Sequence, residues 1–170
     1  MNLKEKIAEY PNFPKKGILF RDFSPILKDP SALTEIADEF SKHFHPKNID
    51  IFAGIESRGF ILACILATRY NKGMMMIRKS GKLPGKTVKL SYTIEYGKDT
   101  IEIQDNIIEK GQRVLICDDL LATGGTAKAS AKLIEKVGGV ISGFAFIIEL
   151  TELNGIKGIN KYDCKSLVKY

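Results

Sequence analysis

The chain has 170 residues, of which 44% are hydrophobic and 27% are charged, a composition typical of folded globular proteins rather than disordered or fibrous ones. The longest unbroken apolar run, residues 60–67, is much shorter than the roughly 20 residues that a membrane-spanning helix needs. A total of 26 Lys and Arg against 20 Asp and Glu gives a net charge of +6, which favours anionic partners. Because the basic residues are mostly scattered, we expect small phosphorylated molecules rather than nucleic acid.

The three cysteines, Cys64, Cys117 and Cys164, lack the spacing of metal ligands, and their odd number is typical of reduced thiols. The first residues alternate in charge and lack the apolar segment of a secretory signal. These features predict a cytoplasmic protein. The length predicts a single domain that covers residues 1–170.

In chain order, the first predicted element is a short helix that carries Leu3, Ile7 and Tyr10 at helical spacing and stops before Pro11. A loop over residues 11–25 follows. The next helix begins after Asp29, which can cap it, and its apolar stripe predicts that it packs on one face.

Short apolar segments that are typical of buried strands then alternate with helical segments. The strands are predicted at 50–55, 74–77, 113–117 and 140–150, and the helices that follow the first and third of these at 60–67 and 125–137. This alternation predicts an α/β fold with a mostly parallel, twisted sheet that is flanked by helices. Ligands of such sheets bind beyond the carboxyl ends of the strands.

The segment 79–104 breaks this alternation because it is polar and is punctuated by Gly and Pro. Two runs of alternating residues, 86–93 and 100–104, predict a hairpin outside the core. A segment of this length in a compact domain is typical of a functional loop, often a lid.

Two adjacent carboxylates, Asp118 and Asp119, follow the third predicted strand. Neighbouring strand residues point to opposite faces, so a buried strand that continued through both would place a charge in apolar surroundings. We therefore expect the strand to end there. A carboxylate pair at this edge can accept hydrogen bonds from a vicinal diol, such as that of ribose.

A glycine-rich segment, Ala-Thr-Gly-Gly-Thr at 122–126, opens the next predicted helix. Its glycines allow backbone N–H groups to converge, its two hydroxyls add donors, and the helix N-terminus favours an anion. Next to the carboxylate pair, this phosphate loop predicts a site for ribose 5-phosphate. The plainer alternative, a helix cap with a flexible connector, explains neither the doubled aspartate nor the doubled threonine.

Two other phosphate-binding motifs do not fit. The segment 81–87 resembles a Walker A loop but has three residues between its glycines where four are required, and a strand-like run follows it. The Gly-x-Gly-x-x-Gly motif of dinucleotide-binding enzymes follows none of the predicted strands.

The Asp-Asp pair that leads into Ala-Thr-Gly-Gly-Thr resembles the phosphoribosyl pyrophosphate motif of type I phosphoribosyltransferases. Four further segments, 10–25, 54–60, 78–85 and 95–97, are similar to the adenine-specific family among them. The resemblance implies an N-terminal hood that binds the base, a mobile hairpin loop and a homodimer. It also implies transfer of the phosphoribosyl group from phosphoribosyl pyrophosphate to adenine, which yields AMP and pyrophosphate and uses Mg²⁺ as cofactor.

The same resemblance implies roles for individual residues on the sugar and phosphate side. Asp118 and Asp119 bind the ribose of phosphoribosyl pyrophosphate, and the 5-phosphate is bound by Ala122, Thr123, Gly124, Gly125 and Thr126. The pyrophosphate is bound by Glu56, Ser57, Arg58, Arg78, Lys79 and Lys82, with Arg78 reaching it from a neighbouring subunit. Mg²⁺ is held mainly by pyrophosphate and ribose oxygens rather than by protein side chains.

On the base side, the resemblance implies that main-chain groups of Leu19 and Arg21 read adenine, which is stacked between Phe20 and Leu120. Glu95 takes the proton from N7 as N9 attacks the sugar, and Tyr96 closes over the ribose or the leaving group.

Two other functions stay open on the sequence alone. A related transferase could act on hypoxanthine, guanine, xanthine or a pyrimidine, but a 6-oxo purine reverses the donor and acceptor pattern that adenine presents. A non-catalytic regulator could sense the same ligands. The presence of Glu95 and Arg58 argues against it, and 170 residues leave little room for a DNA-binding domain.

Overall fold

The computed structural model describes residues 2–170, and its main feature is a seven-stranded sheet. The described residues form nine strands: β1 Ala8–Pro11, β2 Leu19–Asp22, β3 Ile51–Ile55, β4 Gly73–Lys79, β5 Thr87–Ile94, β6 Gly97–Gln104, β7 Arg113–Leu121, β8 Val140–Glu149 and β9 Cys164–Lys169. The large sheet has the order β5-β6-β4-β3-β7-β8-β9. Strands β4, β3, β7, β8 and β9 are parallel, and the β5–β6 hairpin joins antiparallel to β4. The predicted mostly parallel sheet is confirmed.

Helices cover both faces of this sheet, as predicted. They are α1 Ser24–Leu27, α2 Pro30–His43, α3 Glu56–Tyr70 and α4 Gly125–Lys136. Asp29 caps α2 as expected, because its side chain accepts hydrogen bonds from the N–H groups of Ser31 and Ala32. Within residues 2–170, no helix has both the length and the apolar composition that a bilayer crossing requires.

Alternate residues of the central strands pack into two separate cores. Phe52, Leu115 and Cys117 join the core beneath α1, α2 and α3, whereas Ala53 and Ile116 join the core beneath α4 and the β5–β6 hairpin. This alternation follows from the two-residue period of a strand. Both faces are apolar, so the central strands appear in the sequence as continuous hydrophobic runs.

The prediction for the N-terminal region is wrong in part. Only residues Leu3–Lys6 are helical, as a 3-10 turn, while Tyr10 lies in β1 and pairs with Phe20 of β2. Leu3 and Ile7 are apolar because both are buried against the core, not because they lie on one face of a continuous helix. The sequence does not indicate strand β9 either. Four of its six residues are partly buried and Val168 is its one buried residue, so the strand has no clear apolar face.

The hairpin lies at the predicted place, but the expectation that it stays outside the core is wrong. Ile101 and Ile103 on β6 are both buried in the core beneath α4. The base of the hairpin is therefore fixed to the sheet, since β6 also pairs with β4 through Glu102 and Ile101. Its tip is different, because residues 93–98 are all exposed.

Helix α3 begins directly after β3, at Glu56, four residues before the start that the sequence predicts. A Cβ atom at Gly54 would lie 2.9 Å from the carbonyl oxygen of Gly59 and 2.9 Å from the Cα of Phe60. Glycine at this position therefore allows the start of α3 to pack against β3.

We expect Gly54→Ala to lower the free energy of unfolding by about 1–3 kcal/mol, because backbone atoms of α3 would have to move away from the sheet. Gly73→Ala is a suitable control, since a Cβ atom there meets nothing within 4 Å and the change should stay within about 0.5 kcal/mol. Urea denaturation of both variants measures the difference. Equal effects at the two sites would contradict the close-packing argument.

Candidate active site

A cleft of about 460 Å³ opens at the carboxyl ends of β3 and β7. It is lined by Ile55, Glu56, Ser57, Arg58, Lys79, Lys82, Asp118, Asp119, Leu120 and Thr126. The structure thus brings together cationic, acidic and hydroxyl groups from segments that lie up to seventy residues apart in sequence, from Glu56 to Thr126. A smaller cavity of about 100 Å³, lined by the phosphate loop, shares Asp118, Leu120 and Thr126 with the cleft.

The two aspartates lie inside β7, so the expectation that the strand ends before them is wrong. Strand β7 continues to Leu121 and pairs with β8 over this stretch. Two contacts offset the cost of placing the carboxylates there: Asp119, which is 4% exposed, forms an ion pair with Arg58 at 2.9 Å, and Asp118 accepts a hydrogen bond from the N–H of Asp119 at 2.9 Å.

Asp118 has an unusual electrostatic environment. Burial is the main cause that raises the pKa of Asp118 well above its ordinary value, and the negative charge of Asp119 is the second. The positive charge of Arg58 lowers that pKa by less than these two causes raise it. Gly59 of α3 also packs closely here, because a Cβ atom at Gly59 would lie 3.1 Å from Oδ1 of Asp118. The carboxylate pair is therefore held between the start of α3 and the phosphate loop.

The phosphate loop has the conformation that an anion site needs. Gly124 has a φ of +84° and precedes the first turn of α4, which has no side-chain cap. The loop packs against Gly155, because a Cβ atom at Gly124 would overlap the carbonyl oxygen of Gly155. The N–H groups at the start of α4 are thus left to face a ligand.

The side of the cleft that was predicted to bind pyrophosphate is built from the start of α3 and the end of β4. Glu56 has a φ of +48°, a strained value for a residue other than glycine. Its carboxylate accepts a hydrogen bond from the N–H of Lys79 and lies 3.5 Å from Nε of Arg78. Glu56 therefore ties α3 to β4, and the cations Arg58, Lys79 and Lys82 provide the positive charge in the cleft.

Arg78 differs from the other basic residues because it does not line this cleft. Its guanidinium lies over the ring of Phe60, 5.5 Å from the centroid, and beside Glu56. The side chain is therefore held against α3.

The N-terminal strands β1 and β2 form a separate two-stranded hood. Phe20 lies at its centre and contacts Phe13 edge-on at 5.2 Å, while the guanidinium of Arg58 lies 5.2 Å from its ring centroid. Leu19 and Arg21 are two residues apart, so their backbone groups point to the same edge of the strand. Arg58 thus links the hood to Asp119 in the cleft.

Glu95 and Tyr96 lie apart from the other predicted residues. They form the turn between β5 and β6, both are exposed, and 90% of Tyr96 is accessible to solvent. Neither lines the cleft.

Comparison with known proteins gives the family. Residues 24–168 match the phosphoribosyl transferase domain. An adenine phosphoribosyltransferase of Nitrosopumilus maritimus is 89% identical over the full length of both chains. The chain belongs to the adenine phosphoribosyltransferase family. The resemblance read from the sequence motifs is confirmed.

Solved structures of this family share the fold. The crystal structure of the adenine phosphoribosyltransferase from Thermoanaerobacter pseudethanolicus is 45% identical, with a TM-score of 0.94 over 99% of this chain and 98% of that one. The enzyme from Saccharomyces cerevisiae, solved with an imino-altritol bisphosphate and adenine, is 40% identical, with a TM-score of 0.91 over 97% and 96% of the two chains.

Sequence reasoning missed two polar residues that touch the predicted site of this phosphoribosyltransferase. The hydroxyl of Tyr92 on β5 lies 3.0 Å from the hydroxyl of Thr126 and 3.5 Å from Asp99, so the hairpin contacts the phosphate loop. Glu102 on β6 is buried and holds the segment that carries Lys82. The alternation of the strands hides Glu102, because it lies between Ile101 and Ile103 and so faces the opposite side of β6, where a polar residue is ordinarily exposed.

The donor groups of the cleft are suited to a magnesium ion that a substrate brings with it. Among residues 2–170, no group of three or more His, Cys, Asp or Glu side chains could hold a metal ion. Mg²⁺ prefers six oxygen ligands and keeps several waters. Because the described side chains form no such ligand set, the pyrophosphate and ribose oxygens of a substrate, together with water, would have to supply these ligands.

We expect Asp118→Asn to stabilise the phosphoribosyltransferase fold without ligands. The folded-state pKa of Asp118 is raised, so its contribution to stability is present below the unfolded pKa and is lost as pH rises through the folded pKa. Asn does not ionise, so the melting temperature of the variant should exceed that of the wild type by about 2–4 °C near pH 8 and by less near about pH 5. Thermal denaturation at both pH values measures this. A variant less stable at high pH would contradict it.

Proposed function

We propose that this chain transfers the 5-phosphoribosyl group of phosphoribosyl pyrophosphate to N9 of adenine, and that AMP and pyrophosphate are the products. One observation carries the proposal: Asp118 lines both the cavity of the phosphate loop and the cleft in which Asp119, Arg58 and Lys82 lie. This order matches the order of phosphate, diol and pyrophosphate groups along the substrate. The N-terminal hood with Phe20 supplies a place for the base next to Arg58.

The reaction breaks the bond between C1 of the sugar and a pyrophosphate oxygen. Positive charge develops on the sugar and negative charge on the leaving group. Asp118 and Asp119 would accept hydrogen bonds from the ribose hydroxyls and fix the sugar. Arg58, Lys79 and Lys82, with the N–H groups at the start of α3, would stabilise the departing pyrophosphate. When bound, Mg²⁺ would add positive charge on the same side.

Proton transfer at the base requires the hairpin tip to move. As N9 of adenine attacks C1, the proton on N7 must leave, and Glu95 is proposed to accept it while Tyr96 covers the site. Both residues are exposed on a tip whose base is fixed by Ile101 and Ile103. A bending of the tip toward the cleft would exclude water and bring Glu95 to the base.

Specificity for adenine is proposed to come from the main chain of Leu19 and Arg21, with Phe20 and Leu120 stacking on the two faces of the ring. A backbone carbonyl accepts from the exocyclic amine of adenine and a backbone N–H donates to N1. A 6-oxo purine would present the opposite pattern at both atoms, so both hydrogen bonds would be lost and like groups would face each other.

Three broader features complete the proposal. Arg78 does not line its own cleft, which supports a homodimer in which it reaches the neighbouring subunit's pyrophosphate. Cys64, Cys117 and Cys164 are free thiols, which supports a cytoplasmic location. Both cores pack on one continuous sheet, which supports a single phosphoribosyltransferase domain over 1–170.

The test incubates the purified chain with Mg²⁺, phosphoribosyl pyrophosphate and, in separate reactions, adenine, hypoxanthine, guanine, xanthine and uracil. Chromatography identifies any nucleotide that forms. We expect AMP and pyrophosphate from adenine, and no product when ribose 5-phosphate replaces phosphoribosyl pyrophosphate. Preferential formation of IMP, GMP or XMP would assign a different base. Binding of both substrates without turnover would instead support the regulator.

A further inference from the structure

Glu102 is a buried carboxylate without a part in the reaction described above. It lies in the middle of β6 and only 1% of it is exposed. Its Oε1 accepts hydrogen bonds from the N–H groups of Gly81 at 3.1 Å and Leu83 at 3.0 Å, and its Oε2 accepts one from the hydroxyl of Thr87 at 3.1 Å. Lys89 lies 3.8 Å from Oε2.

The two backbone donors flank Lys82, which lines the cleft. The segment between β4 and β5 has little apolar packing of its own, since all of residues 80–86 except Leu83 are exposed. Gly81 has a φ of +91°, so the chain turns sharply just before Lys82. The backbone on both sides of this lysine is therefore held by one side chain from another strand.

These contacts keep Glu102 in its charged form. Burial alone would raise the pKa of Glu102, but the N–H of Leu83, the hydroxyl of Thr87 and the N–H of Gly81 together lower it below its ordinary value. An ionised carboxylate has no hydrogen to donate, so it is suited to collecting several N–H and O–H donors at one point. Hydrogen bonds to a charged acceptor are also the stronger kind.

We propose that Glu102 is a positioning residue that holds Lys82 at the pyrophosphate end of the cleft. This inference rests on the proposed function, because it assumes that Lys82 meets pyrophosphate. Glu102 acts through the backbone of residues 81–83 and does not touch the substrate. Its effect is therefore confined to the pyrophosphate group and leaves the recognition of adenine unchanged.

The first test compares three variants at one residue. Glu102→Leu removes the one acceptor oxygen that the Gly81 and Leu83 N–H groups share, and Glu102→Asp keeps the charge but shortens the side chain. Each should raise the KM for phosphoribosyl pyrophosphate and the Kd for magnesium pyrophosphate by about tenfold, with the KM for adenine within about twofold. Glu102→Gln keeps an oxygen for both N–H groups and can donate to Thr87, so it should stay within about threefold of wild type.

The second test is a double-mutant cycle with Lys82→Ala. If Glu102 acts through Lys82, the effects of Glu102→Leu and Lys82→Ala on the Kd of magnesium pyrophosphate overlap, and the double variant binds about as weakly as Lys82→Ala alone. Thr87→Val is the matched control, because it removes one contact of Glu102 but leaves both loop N–H groups bonded. It should bind magnesium pyrophosphate like the wild type.

Three outcomes would overturn the inference: additive effects in the cycle, equal changes in the KM for both substrates, or a Glu102→Asp variant that binds pyrophosphate normally. Thermal denaturation shows whether Glu102→Leu folds. If it does not, Glu102→Asp and Glu102→Gln still test the inference. The binding measurements need no turnover. A wild-type chain that binds magnesium pyrophosphate but makes no AMP would therefore refute the proposed function without touching the role of Glu102.

Discussion

Changing both Asp118 and Asp119 to Asn is expected to lower kcat/KM for phosphoribosyl pyrophosphate by about 10²–10⁴-fold. Each carboxylate would lose a charge-assisted hydrogen bond to a ribose hydroxyl, worth about 1.5–3 kcal/mol, and a tenfold change in rate corresponds to about 1.4 kcal/mol. Asn keeps the shape of both side chains, and Arg58 is half-exposed, so water can solvate it after the ion pair to Asp119 is lost. Steady-state kinetics with varied phosphoribosyl pyrophosphate measures the loss.

Asp50→Asn is the matched control for this double variant. Asp50 pairs with Arg113 at 2.9 Å, but this pair joins the amino-terminal ends of β3 and β7, whereas Asp119 and Arg58 lie at the carboxyl ends. Arg113 holds the pKa of Asp50 well below its ordinary value, so the control removes a real ion pair outside the cleft. It should lower stability and leave kcat/KM nearly unchanged. Full activity in the double variant would refute the role of the aspartates in binding the diol.

The phosphate loop and the carboxylate pair could be predicted because their chemistry is local. Residues 118–126 are consecutive, and each residue type has a direct reason to lie at a strand end before a helix. The position of the strand end could not be predicted, because it depends on Arg58, which is 61 residues away in the chain and pairs with Asp119. A sequence pattern shows the cost of a buried charge but not the distant partner that offsets it.

Residues that act through tertiary contacts are harder to identify from the sequence. Glu102 and Tyr92 belong to alternating runs that predict a hairpin, yet the first is buried beneath the Lys82 segment and the second contacts Thr126. The packing of Ile101 and Ile103 places both residues there, because it fixes the base of the hairpin to the sheet. Residues 93–98 form a continuous exposed stretch at the tip of the hairpin, and they include both residues proposed for catalysis.

Glu95→Gln is expected to lower kcat by about 10²–10³-fold while the KM values for both substrates stay within about threefold. Gln has nearly the same size and can still accept a hydrogen bond, but it cannot take the N7 proton. Glu95 is exposed at the hairpin tip and makes none of the contacts that hold the fold, so the change should leave stability unaltered. Initial rates at saturating adenine and phosphoribosyl pyrophosphate, with thermal denaturation alongside, measure both quantities.

Lys98→Gln is the control for a change of charge at the same exposed tip, because Lys98 lies just beyond the turn, on β6. This substitution should change kcat by no more than about twofold. If Glu95 only attracted or oriented substrate, its variant would raise KM at a nearly constant kcat. A change confined to KM would therefore reject proton transfer by Glu95. A loss in kcat alone would also mean that the tip reaches the base during turnover, because Glu95 lies outside the cleft when the hairpin is in the position seen here.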